Sequence, residues 1–112
     1  MYAVRTEQDF EWLVYRMNRA IRLAQPITVT YSEEKKDPDN PKRKLKGQFT
    51  IVRRTFEPLE LKESKEGHLY AVSLDRQSQD WRSWRLDRVL LYTTHRGIRT
   101  VPEPTPSAER SA

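Results

Sequence analysis

The chain of 112 residues contains no cysteine, which excludes a disulfide framework, thiolate metal ligation and thiol redox chemistry. It has only three glycines, and none falls in a phosphate-cradling loop or a Gly-x-Ser-x-Gly turn. No apolar run approaches the ~20 residues needed to cross a bilayer. The N-terminus Met1-Tyr2-Ala3-Val4-Arg5 likewise lacks the apolar stretch of a signal peptide. The two histidines, His68 and His95, are distant in sequence and show no metal-ligand spacing. Together with Glu57 they could form a metal-free ribonuclease site, but nothing in their spacing demands one. The expectation is therefore a non-enzymatic protein without a cofactor, soluble and cytoplasmic, with no membrane partner. At 36% apolar residues, the length allows one domain around one modest core.

What the chain does have is basic charge. Lysine and arginine number 21 against 16 acidic residues, a formal net charge of +5, which biases it moderately toward anionic partners. Arginines recur beside aromatic residues in three blocks of strand-like alternation, at residues 54–61, 67–75 and 81–89. A sheet that displays guanidinium groups beside rings suits a ligand bearing phosphates and bases.

Thr6 followed by Asp9 forms a capping-box pattern. Phe10, Leu13, Val14, Met17, Ile21 and Ala24 then recur at helical spacing, which predicts a helix over Glu7–Leu23 stopped by Pro26. Its apolar stripe is expected to cover an open end or edge of a sheet, with a partner or dimer contact as the alternative. Glu11, Arg16, Arg19 and Arg22 fall on its polar side. Ile27, Val29 and Tyr31 alternate on one strand face. Residues 33–47 mix charges of both signs with two prolines and are expected to form a mobile charged loop, a hairpin-like excursion. Its basic half, Lys42 to Lys46, reads first as solvated and second as a contact for a nucleic-acid backbone. A strand over 48–56 must lose its pairing at Pro58 before Leu59 and Leu61 resume. Gly67 supplies a turn, and residues 76–80 are a polar connection.

In the last block, strict alternation would turn Arg88 inward at a large desolvation cost, so the strand is expected to break near Leu86-Asp87-Arg88 in a bulge or single helical turn. Trp81 and Trp84 are then on opposite faces, and Trp84, beside Leu86, is the better core residue. Residues 1–6 read as an N-terminal extension, 7–96 as the domain, and 97–112, with Pro102, Pro104 and Pro106, as a disordered tail. The fold class is α+β and mainly β: one N-terminal helix and a small five-stranded antiparallel barrel, closed or nearly so.

The three blocks resemble the WYL domain, a small Sm-like (Src-homology-3-like) barrel of bacterial and phage regulators. Arg54 with Glu57-Pro58-Leu59-Glu60-Leu61 is similar to that family's arginine and Glu-Pro-Leu-x-Leu stretch. Trp84-Arg85-Leu86-Asp87-Arg88-Val89 is similar to its Phe-Arg-Leu-Asp-Arg-Ile segment, and Tyr70 matches the tyrosine of the naming motif. The likeness spans roughly residues 9–92. It implies a regulatory sensor module whose basic, aromatic-edged patch binds single-stranded nucleic acid or a nucleotide-like anion. Members commonly carry a helix-turn-helix domain ahead of the barrel; one helix alone is too little for that role, so a stand-alone sensor, a fragment or a phage-encoded accessory factor is expected instead.

Arg85, Arg88, Arg54, Arg82, Tyr70, Tyr31 and Ser32 are the residues expected around such a ligand. Arginine offers planar paired donors to phosphate and stacks on bases, Tyr70 offers a ring, and Ser32 a hydroxyl donor. Asp87 reads as an organiser of the arginines beside it. The competing uses are ion pairs that pin strands together and, for the whole domain, a protein-interaction or assembly module, with a homodimer or other protein partner meeting the helix face and barrel edge.

Overall fold

The computed structural model describes residues 1–74 and 80–96. The expected tail, and all but Asp80 of the expected polar connection, lie outside the described residues.

Helix α1 spans Glu7–Leu23, and its start is set by local chemistry. The Thr6 hydroxyl accepts from the Asp9 N–H at 3.0 Å. The Asp9 carboxylate in turn accepts from the N–H groups of Arg5 at 3.0 Å and Thr6 at 3.1 Å. The first of these bonds is the main reason the Asp9 carboxyl titrates below its ordinary range. At the other end Ala24 takes the left-handed conformation, φ 55°, and its N–H bonds back to Ala20 and Ile21. Leu13, Met17 and Ala20 are buried, with Phe10, Val14 and Ile21 packed around the core.

Seven strands follow the chain: β1 Tyr2–Ala3, β2 Ile27–Asp37, β3 Asn40–Phe56, β4 Glu60–Glu63, β5 Leu69–Leu74, β6 Trp81–Arg85 and β7 Val89–Thr94. They form two antiparallel sheets, one in the order β1-β7-β2-β3 and the other β4-β5-β6. The single five-stranded barrel expected from the sequence is thus corrected to two sheets and no closed barrel. Two interruptions of the chain divide them. Residues 57–59 carry Pro58, which has no N–H to give a ladder, and they separate β3 from β4. A 3-10 turn at Leu86–Arg88 separates β6 from β7, as the cost of burying Arg88 predicts: Leu86 is fully buried while the Arg88 side chain keeps a quarter of its surface in solvent. Helix α1 packs across this junction, against both the turn and β4.

Two other expectations are corrected. Residues 1–6 are more than an extension: Tyr2 pairs with Tyr92 and Ala3 with Leu91, and the Val4 N–H bonds the Leu90 carbonyl at 2.9 Å. Arg16, expected on the solvent side of the helix, locks this strand. Its guanidinium lies 3.7 Å from the centre of the Tyr2 ring and donates to the Tyr92 hydroxyl at 2.8 Å.

Residues 33–47, expected as a charged hairpin-like excursion, are strand for most of their length and form the outer half of the β2–β3 hairpin, paired out to Asp37 opposite Asn40. The Asp37 carboxylate accepts from the Asp39 N–H at 2.9 Å and fixes the tip. The register slips between Glu34 and Lys36, near Gly47, whose φ of +81° fits a bulged strand.

The core gathers between the sheets. The Phe56 ring stacks on Trp84 at 4.6 Å, and Tyr31 meets Trp84 edge-on at 5.6 Å. The buried Trp84 indole N–H donates to the Ser73 hydroxyl at 2.9 Å. Ala71 stands opposite Trp84 across β5 and β6, a small residue beside the largest one.

Candidate functional site

The site grows from Tyr31, where β2 passes the end of β6. Its ring is core, while its hydroxyl accepts the backbone N–H of Arg85 at 2.8 Å. Burial pushes the Tyr31 phenol above its ordinary pKa in spite of that bond. The hydroxyl therefore stays protonated at neutral pH.

Beside Tyr31 lies a cleft of ≈ 210 Å³ between the hairpin and β6. Its cations are Lys44 from β3, Arg82 from β6 and Arg88 from the 3-10 turn. Tyr31 and Trp84 supply rings, and Ser83 a hydroxyl. Glu33 and Glu34 of β2 are also on the wall, so cations exceed carboxylates there by one. The ion pairs are loose. Arg88 Nη1 is 3.9 Å from Glu34 Oε1, and Arg54 Nη2 is 3.8 Å from Glu33 Oε2. Both are longer than a hydrogen bond, and such part-exposed pairs are worth about 0–1 kcal/mol.

Arg85 is held differently. Its Nε donates to Asp87 Oδ1 at 2.9 Å and its Nη2 to Oδ2 at 2.6 Å, a two-pronged pair. That bond is the first cause of the lowered Asp87 pKa and of the raised Arg85 pKa. His68 Nδ1 lies 3.3 Å from Arg85 Nη2 and 3.7 Å from Asp87 Oδ2. Asp87 thus organises Arg85, as its position between the two arginines suggests.

Of the seven residues expected around a ligand, the fold brings Tyr31, Arg82 and Arg88 to one wall. Arg85 adjoins them through Tyr31. Tyr70 sits opposite Arg85 across β5 and β6, on the sheet face away from Trp84. Arg54 reaches the cleft only through Glu33. Ser32 pairs with Ile51 between Tyr31 and Glu33 on β2 and is not among the residues of the cleft wall. Lys44 comes from the basic run that reads first as a solvated loop, and Glu33, Glu34 and Ser83 were not expected. The hairpin register carries Lys44 back beside β2.

The residues of the ribonuclease alternative are tied into separate polar groups. His95 Nε2 is 2.7 Å from the Thr28 hydroxyl, itself 2.7 Å from that of Thr55, whereas His68 accompanies Arg85 and Asp87. Among the described residues no cluster of three or more His, Asp or Glu side chains is placed to hold a metal ion, and no helix is long and apolar enough to cross a membrane.

A comparison with curated proteins finds no match. The family model of the WYL domain matches residues 13–94, a stretch that runs from the buried face of α1 through every wall of the cleft to the end of β7. On that coverage the chain belongs to the WYL domain family.

Proposed function

We propose that this domain is a regulatory sensor that binds a phosphate-bearing ligand, single-stranded nucleic acid in the first instance, in the cleft beside Tyr31. The observation that carries the reading is the convergence of Lys44, Arg82 and Arg88 from three separate chain segments on one concavity with the Tyr31 and Trp84 rings. The pair of Arg88 with Glu34, at 3.9 Å, is loose enough for a phosphate to replace the carboxylate. A phosphate oxygen at 2.7–2.9 Å makes a charge-assisted bond roughly twice as strong as a neutral one, and the bound strand displaces Glu34 from Arg88. Arg85, clamped by Asp87, holds its N–H against the Tyr31 hydroxyl and so sets the pitch of that ring. Family membership supports the regulatory part of the reading.

Fluorescence anisotropy with a labelled oligothymidylate tests this. The expected result is binding at low salt that Arg82→Ala combined with Arg88→Ala weakens at least about tenfold, the effect of losing one charged hydrogen bond of about 1.5–3 kcal/mol. Equal binding by wild type and the double variant would refute the proposal.

The rival reading, a protein-interaction module on the apolar helix face and the barrel edge, cannot use Leu13 and Met17 of that face, which are fully buried in the domain's own core.

A further inference from the structure

Among the described residues, strand β3 is an edge of the four-stranded sheet, bonded to β2 on one side only. Between Lys42 and Thr55 only Leu45 and Val52 are even partly covered. Edge strands of this length are a liability, since their outward N–H and C=O groups can pair with any passing chain. Proteins usually blunt them with proline, inward charges or charged residues mid-strand. Here the middle of the edge, residues 48–52, carries no charge and no proline. Phe49 and Ile51, which share one face, are 46% and 59% exposed. The charges stand at the two ends: Lys42, Arg43, Lys44 and Lys46 on one side, Arg53 and Arg54 on the other, with no acidic residue anywhere in the strand.

From this arrangement we infer that the β3 edge is a docking site for an extended acidic segment of a partner protein, which adds to the sheet as a further strand. Main-chain bonds to residues 48–52 supply the pairing. Phe49 and Ile51 meet alternate apolar side chains of the incoming strand, and the flanking cations meet Asp or Glu at its ends. Like charge argues against a second copy of this chain as the occupant, because antiparallel pairing of two β3 strands would set one basic block against the other. A nucleic acid strand would use the terminal cations but leave the main-chain groups of 48–52 without partners. The site shares Lys44 with the cleft and sets Phe49 beside Arg88, but its pairing groups are the main chain of residues 48–52, which the cleft reading does not use.

The test is a titration of the full chain with a labelled short peptide that alternates valine and threonine between pairs of glutamates, read by anisotropy and by amide hydrogen exchange. The expected result is saturable binding, slowed exchange within residues 48–54, and a loss of at least about tenfold in affinity on Ile51→Lys, which adds a like charge at an exposed position and removes an apolar contact. The same variant should bind oligothymidylate undiminished. Each of three results overturns the inference: no binding, which leaves the flanking cations as guards against aggregation only; equal binding of a peptide N-methylated on alternate residues, which shows charge attraction without strand pairing; or displacement of the peptide by oligothymidylate with no change in exchange at 48–54.

Discussion

Arg85 and Arg88 are three residues apart and used in opposite ways. Arg85 is committed to Asp87 at 2.6 and 2.9 Å. Arg88 has Glu34 at 3.9 Å and the Phe49 ring, 5.5 Å from its guanidinium carbon to the ring centre. The Arg85 bond holds the Asp87 carboxyl below its ordinary pKa. Its contribution to stability is therefore complete above the unfolded value, around pH 4, and is lost as pH falls through the lower folded value. With the Asp87 side chain 43% exposed, screening limits the pair to about 0.2–1 kcal/mol. Urea unfolding of wild type and Asp87→Asn should differ by that amount at pH 6–7 and converge in strong acid; a constant difference across the range would show that the pair is not its source.

Deep in the core the balance changes. Ser73→Ala leaves the buried Trp84 indole N–H without its acceptor and should cost about 1–3 kcal/mol, measured by the same unfolding experiment, whereas a change under 0.3 kcal/mol would mean that another acceptor takes over.

Among the elements, the helix was the most legible from sequence, because its start depends on neighbours three residues apart. Thr6 and Asp9 make the capping box where the pattern put it. Thr6→Ala is expected to lower stability by about 1 kcal/mol, and Thr6→Ser to leave it nearly unchanged, both read from urea midpoints. The break at Leu86–Arg88 was legible for an energetic reason, since a continued strand would have buried a guanidinium. The outer hairpin was legible only in outline, as a charged excursion between two strands. Neither of its faces is buried, so it lacks the alternation by which a strand is recognised. Its evidence lies in pairing, which a sequence does not display. β1 is two residues long, and what holds it, Arg16 against Tyr2 and Tyr92, joins positions as far as 76 apart. For the same reason Lys44 could not be told from the other cations of its run: its place in the cleft depends on the register with β2.

At the scale of the molecule, the excess of positive charge is concentrated. Between Ile27 and Phe56 there are eight basic and four acidic residues, so the β2–β3 hairpin carries most of the net charge of +5. An anionic strand is thus steered toward the cleft at the hairpin's base as well as held there. If Lys44, Arg82 and Arg88 each meet one phosphate, the slope of log affinity against log salt for a single strand should be about −2. Removing any one of the three should make it shallower by about 0.7. A slope near zero would mean that affinity comes from elsewhere.

Where the ligand sits can be read by amide chemical-shift mapping during titration with a short oligothymidylate. The saturating shifts should cluster at Tyr31, Lys44, Arg82, Ser83 and Arg88, while the buried helix residues Leu13 and Met17 stay still. Shifts confined to surfaces away from Tyr31, or none at any concentration, would contradict the proposed site.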